Sequence, residues 1–242
     1  MTNEGILLRR RAEEILALVD KAEKELIEQE ELVDGKITIG CGELAAMQLL
    51  PDVFRSFNKK HPLVSYDLYT ANADEVKEQM EKGLIDIGVL LEPVDIEKFD
   101  FIRLEKTERW VVLMRPDDPL AEKESVSAAD LCGHSIILPR RLNIQSELAS
   151  WFGDHFQSLH ILFTSNLNTN GALVVRGGMG YSLVIEGAMP LWDQNEVTYR
   201  PLCPALFASS VLAWKRGQPF SLAVTKFIEH LKTTDFLRQG NS

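Results

Sequence analysis

The fold is decided by residues 35–69, which read GKITIGCGELAAMQLLPDVFRSFNKKHPLVSYDLY. Residues 36–40 and 64–69 alternate like strands, whereas residues 44–60 carry apolar side chains at the spacing of an amphipathic helix. A second helix over 74–82 and an apolar strand over 85–91 follow. Because strands that alternate with helices form parallel sheets covered by those helices, the sequence predicts an α/β lobe.

The same order returns from residue 135. Strands are predicted at 135–138, 160–164 and 181–185, with helices at 145–156 and 169–176 between them. The second and third strands begin 21 residues apart in both sets, at 64 and 85 and at 160 and 181. The sequence therefore predicts two similar Rossmann-like lobes, and one continuous sheet is disfavoured.

The predicted organisation has a helix before the two lobes. Residues 1–33 form a polar helix with one apolar stripe, which favours equally a surface helix and a linker helix for dimerisation. Lobe I is assigned to residues 34–112 and 214–238, and lobe II to residues 113–213. The chain would then pass between the lobes twice, and two crossings form a hinge.

Composition excludes several classes of protein. The 242 residues include 45% hydrophobic and 26% charged side chains, which is typical of a globular protein. The net charge of −10 disfavours binding of nucleic acid by these residues themselves. Three cysteines without a CxxC pair and no secretory signal predict a cytoplasmic protein. No apolar run approaches the roughly 20 residues of a membrane span. Without GxSxG, P-loop or HExxH motifs, no catalytic residue, metal or cofactor is predicted.

A ligand site follows from the predicted topology. In open α/β sheets small molecules bind beyond the carboxyl ends of the strands, where helix N-termini present free N–H groups. With two lobes, these loops face each other across a cleft. The candidate ligand-binding residues are Gly42, Glu43, Leu44, Asn72, Ala73, Leu91, Glu92, Pro139, Arg140, Arg141, Asn166, Glu186 and Gly187.

Charged side chains in this set leave the charge of the ligand open. Arg140 and Arg141 either bind a carboxylate or phosphate or lie solvated in a loop. Glu43 either competes with an anion and selects an amine, or stabilises the N-terminus of its own helix. Cys41 is either a redox-sensing thiol or a small buried side chain, and the second interpretation is favoured.

Several short motifs follow one another in a particular order. They are GKITIG at 35–40, LLP at 49–51, HP at 61–62, KGLIDIG at 82–88, PL at 119–120 and GGMGY at 177–181. In this order and spacing they resemble the effector-binding region of LysR-type transcriptional regulators. Residues 2–16 are similar to the end of the winged DNA-binding domain and the linker helix of that family.

The resemblance implies a periplasmic-binding-protein type 2-like pair of lobes that holds a small inducer in the cleft. It implies homodimers through these domains, tetramers in the whole regulator, and promoter DNA bound only through an N-terminal winged helix-turn-helix that would precede Met1. A solute-binding protein of a transporter is the alternative with the same fold. One departure concerns Gly42-Glu43-Leu44 and Ala73, which lack the hydroxyl that many members offer to an inducer carboxylate.

Overall fold

A computed structural model describes residues 33–234 and the helical positions 11–12, 15–16 and 18–19. The helix predicted over 1–33 otherwise lies outside the described residues. At the described positions the apolar side chains are exposed, among them Ile15 and Leu18. No helix in the described part of the chain combines the length and the apolarity needed to cross a membrane.

Within the described residues, lobe I has five strands and three α-helices. The strands are β1 (Asp34–Cys41), β2 (Leu63–Thr70), β3 (Ile87–Leu91), β4 (Phe99–Arg103) and β12 (Ser210–Lys215), in the order β2-β1-β3-β12-β4. β1 pairs in parallel with β2 and β3, whereas β12 is antiparallel to β3 and β4. The helices are α1 (Leu50–Asn58), α2 (Ala73–Glu81) and α5 (Leu222–Thr233).

The helix predicted over 44–60 forms in two parts. A 3-10 turn at Ala45–Leu49 precedes α1, which has Pro51 in its first turn. Proline is tolerated there because its missing N–H would have no partner within the helix. The chain after β1 therefore forms a 3-10 turn first, and the α-helix begins only at Leu50.

Lobe II contains the second sheet. Its strands are β5 (Glu108–Met114), β6 (Val126–Ser127), β7 (Ser135–Pro139), β8 (His160–Ser165), β9 (Tyr181–Ile185), β10 (Thr198–Cys203) and β11 (Phe207–Ala208). The order is β6-β10-β5-β9-β7-β8, and β11 pairs with β5. Two helices, α3 (Leu142–Phe152) and α4 (Asn168–Arg176), follow β7 and β8.

The two sheets confirm the repeat expected from the sequence. β2-β1-β3 in lobe I and β8-β7-β9 in lobe II have the same order, and all four pairings are parallel. β5 lies wholly in the second sheet and β12 wholly in the first, so the chain crosses between lobes at 104–108 and at 208–210. The boundaries drawn from sequence at 112/113 and 213/214 cut these strands, because strand periodicity does not reveal which sheet a strand joins.

Candidate functional site

The ends of the parallel strands from both lobes surround one small cavity. Its volume is about 60 Å³. Ten of the thirteen candidate residues line it: Gly42, Glu43, Leu44, Asn72, Ala73, Leu91, Pro139, Arg140, Arg141 and Asn166. Since a water molecule takes about 30 Å³ in the liquid, this space is far smaller than the roughly 300 Å³ at which small-molecule sites begin.

Glu43 joins the two lobes across this cavity. Its Oε2 accepts hydrogen bonds from the backbone N–H groups of Asn168, at 2.6 Å, and Thr169, at 3.0 Å. The hydroxyl of Thr169 donates to Oε1 of the same carboxylate. Glu43 therefore stabilises the N-terminus of α4 in the opposite lobe. Neither sequence interpretation anticipated this, because both placed the carboxylate near its own helix or against a ligand.

α4 depends on this contact because its own sequence offers no cap. Leu167 occupies the N-cap position and has no side-chain oxygen, and the first turn contains no acidic residue. By contrast, Asn72 accepts from the backbone N–H groups of Asp74 and Glu75 and so caps its own helix α2. The free N–H groups and the dipole at a helix N-terminus both favour a carboxylate. Glu43 of lobe I supplies this carboxylate to α4.

Arg141 makes the second bridge between the lobes, in the opposite direction. It belongs to lobe II, is 7% exposed, and donates to the carbonyl oxygens of Leu91 at 3.0 Å and Pro93 at 2.7 Å in lobe I. An ion pair of 3.0 Å joins it to Asp74, whose side chain is half exposed. The Nε of Arg141 is buried without a hydrogen-bond partner among the described residues. Arg141 is therefore neither a solvated loop residue nor fully satisfied.

Arg140 lies in a different environment from Arg141, the next residue in the chain. Its side chain is exposed, and its guanidinium has no hydrogen-bond or ion-pair partner within residues 33–234. The backbone N–H of Arg140 donates to Ser165 at 2.8 Å, which ties the loop after β7 to the end of β8. An unpaired cation thus lines the same cavity as the α4 N-terminus.

The remaining three candidates lie outside this cavity. Glu92 forms a forked ion pair with Arg103, with distances of 2.8 and 3.2 Å. Glu186 accepts a hydrogen bond of 3.2 Å from the Tyr199 hydroxyl. Gly187 packs against lobe I so closely that a Cβ there would lie 2.0 Å from the backbone nitrogen of Ala45. Glu92 and Glu186 thus pair within their own lobes, and Gly187 forms part of the contact between the lobes.

Sequence reasoning missed the apolar wall of the cavity. Val89, Trp110, Ile144 and Ile185 all contribute to it. Two signals pointed to such residues: Val89 lies two positions before Leu91 on the same strand face, and Ile144 lies three positions after Arg141 on α3. Nothing local indicated Trp110, which reaches the cleft only because β5 begins at the crossing between lobes.

A buried carboxylate holds the turn that carries Glu43. Glu108, at the start of β5, is fully buried and accepts hydrogen bonds of 3.0 Å from the backbone N–H groups of Ala45 and Ala46. Burial raises the pKa of Glu108 above its ordinary value, and the two backbone hydrogen bonds oppose that rise. Glu108 thereby connects the turn that follows Glu43 to the first crossing between the lobes.

Cys41 lies beside the cleft in a second cavity of about 430 Å³, at the meeting of the β1 end with 187–191 of lobe II. Burial raises the pKa of its thiol to about 11, so the thiol is protonated near neutral pH. This favours the interpretation of a small buried side chain. In the described part of the chain no three histidine, cysteine or acidic residues are grouped to hold a metal ion.

The comparisons with known proteins agree with this architecture. Residues 30–235 match the family described as the LysR substrate binding domain. The chain is 29% identical over 236 residues to the uncharacterized HTH-type transcriptional regulator YvbU of Bacillus subtilis, a match that covers 96% of this chain and 78% of that protein.

Two solved structures show the same fold. The regulatory domain of CcmR from Synechocystis PCC6803, in complex with 2-PG, has a TM-score of 0.67 at 19% identity and covers 82% of this chain and 96% of that one. The effector binding domain of QuiR, in complex with shikimate, has a TM-score of 0.69 at 16% identity and covers 82% and 95%. The periplasmic-binding-protein type 2-like fold predicted from sequence is confirmed.

Proposed function

Because the chain belongs to the LysR substrate-binding domain family and so is the sensing domain of a transcriptional regulator, we propose that its effector binds in the cleft lined by Glu43, Arg140 and Arg141. The observation that carries this proposal is that both lobes contribute strand ends and charged side chains to one cavity. A ligand held there contacts both lobes, so binding free energy can shift the equilibrium between their arrangements. The other candidate residues in the cavity are proposed as its lining.

The charges in the cleft favour an acidic effector. Arg140 offers an unpaired guanidinium, and the N-terminus of α4 already accommodates a carboxylate. A forked hydrogen bond to a carboxylate or phosphate is the interaction for which arginine is best shaped. CcmR and QuiR, two domains of the same fold, were solved in complex with the small molecules 2-PG and shikimate, which supports a small-molecule effector here. We therefore propose a small organic acid.

An effector can occupy the cavity between the strand ends only if the lobes separate. The cavity of about 60 Å³ holds roughly two water molecules, whereas a metabolite needs several hundred cubic ångströms. Movement about the crossings at 104–108 and 208–210 would enlarge it. In the regulator this change in lobe angle would alter the oligomer and, through it, a separate domain that contacts promoter DNA, since a net charge of −10 disfavours DNA binding by the lobes themselves.

Two exposed edge strands support a homodimer. β2 and β8 occupy equivalent edges of the two sheets, and both carry exposed apolar side chains, among them Leu68 and Phe163. A two-fold axis that brings β2 of one copy beside β8 of the other would cover both edges. We expect L68K or F163K to shift sedimentation towards the monomer, whereas L84K, at an exposed position between α2 and β3, should not. Unchanged sedimentation of all three would contradict this interface.

A thermal-shift screen tests the sensing site. Organic acids, amines and neutral sugars would be compared as separate sets. At 100 times its dissociation constant, an effector specific for the native state adds about 2.7 kcal/mol and raises the unfolding midpoint by about 5–10 °C. The R140A variant should lose this shift for acidic hits while keeping its own midpoint. Stabilisation by amines alone, or a shift unaffected by R140A, would refute the proposed site.

A further inference from the structure

The carboxylate of Glu43 occupies the position that an acidic ligand of lobe II would take. It accepts hydrogen bonds from two backbone N–H groups and one hydroxyl at the start of α4, so both of its oxygens are held by lobe II. These donors belong to a helix without a cap of its own. The carboxylate comes from a residue 125 positions earlier in the chain, on the other lobe.

We propose that Glu43 is a built-in anionic ligand that holds the cleft closed, and that an acidic effector acts by taking its place at the N-terminus of α4. This rests on the proposed function and adds its regulation. The two lobes cannot separate at this edge while one carboxylate bridges them. An external acid that binds the same donors frees Glu43 and removes this link between the lobes, while the hydrogen bonds of Arg141 to lobe I remain.

An external acid gains contacts that Glu43 does not make. Glu43 forms no ion pair with either arginine of the cleft, although Arg140 and Arg141 line the same cavity. The guanidinium of Arg140 has no partner within residues 33–234, and Arg141 retains a buried Nε without one. An effector acid between α4 and these two cations could form charge-assisted hydrogen bonds in addition to those it replaces. These additional hydrogen bonds allow a free acid to compete with the carboxylate of Glu43, which is part of the chain.

Release of Glu43 also acts on the turn that meets the hinge. The backbone N–H groups of Ala45 and Ala46, two and three residues after Glu43, donate to the buried carboxylate of Glu108 at the first crossing. Gly187 of lobe II lies directly against the same turn. A shift of this turn therefore changes the packing at the first crossing. A small change there alters the angle between the two lobes.

Chemical complementation in the absence of effector tests this proposal. The E43A variant removes the tethered carboxylate, and free acetate can then bind at α4. We expect acetate at ten times its dissociation constant to raise the unfolding midpoint of E43A by about 3–6 °C, with no comparable effect of acetamide. Wild-type protein should respond less because its site is filled. E124A removes an exposed carboxylate that has no partner in the described part of the chain, and it should respond like the wild type.

E43Q keeps the volume of the side chain and serves if E43A does not fold. Its uncharged amide competes less well for a helix N-terminus, so its response to acetate should lie above that of the wild type. Small-angle scattering should show a larger radius of gyration for the Glu43 variants than for E124A, and acetate should not restore it. Equal acetate responses in all variants, or unchanged scattering, would overturn the proposal. Because no effector is present, this result is independent of whether the metabolite screen succeeds.

Discussion

Replacement of Arg141 by alanine should distinguish the arginine that joins the lobes from Arg140, which is proposed to bind the effector. Arg141 donates two hydrogen bonds to carbonyl oxygens of lobe I and forms an ion pair with Asp74. A hydrogen bond from a charged donor contributes about 1.5 kcal/mol or more, whereas an ion pair to a half-exposed carboxylate contributes close to zero. We therefore expect R141A to lower the free energy of unfolding by about 2–3 kcal/mol.

The matched control is the adjacent Arg140, which is the same residue type in the same loop. Because its guanidinium is exposed and unpaired within residues 33–234, R140A should change the free energy of unfolding by less than about 0.5 kcal/mol. For a domain of this size, R141A should lower the melting temperature by about 5–10 °C and R140A by less than about 2 °C. R141K should not restore stability fully, since an ammonium cannot reproduce the fork of the guanidinium.

Thermal unfolding followed by circular dichroism and calorimetry measures these differences. Both single variants and R141K would be compared with the wild type at neutral pH and low salt. Equal melting temperatures for R140A and R141A would refute the reasoning, because burial and three partners would then contribute nothing measurable. A large loss in R140A would equally contradict the assignment of Arg140 as a free cation.

Three further predictions concern single residues. G187A places a Cβ 2.0 Å from the backbone of Ala45, so we expect it to force the lobes apart and to lower stability by about 1–3 kcal/mol in urea unfolding; an unchanged midpoint would contradict this contact. Burial raises the pKa of Glu108 above 4.5, so the native state binds its proton more tightly and stability due to this group falls as pH rises from 4.5. The stability of E108Q relative to the wild type should therefore increase over that range, and a pH-independent difference would disprove it. Finally, the buried thiol of Cys41 should react with iodoacetamide far more slowly than the exposed Cys203 at pH 8, as measured by mass spectrometry, and equal rates would refute its burial.

The order of elements, the two-lobe repeat and the edge of each sheet where the cleft lies could all be predicted from the amino-acid sequence. Period-2 and period-3.6 patterns are local, so the strands at 36–40, 64–69 and 85–91 could be recognised without any tertiary contact. Parallel topology then places their carboxyl ends together. For this reason ten of thirteen candidate residues meet at one cavity.

The contacts of each charged residue in the cleft depend on how the lobes pack and could not be predicted from the sequence. Arg140 and Arg141 are neighbours of one type, yet one is exposed and the other is buried, because the turn from β7 into α3 directs them differently. The partner of Glu43 lies 125 residues away, and no local pattern can specify a contact at that distance. Strand periodicity likewise did not reveal which sheet β5 and β12 join, since each pairs with strands that are distant in the sequence. Local periodicity determines elements, whereas the charge pairing between lobes depends on how those elements are placed in space.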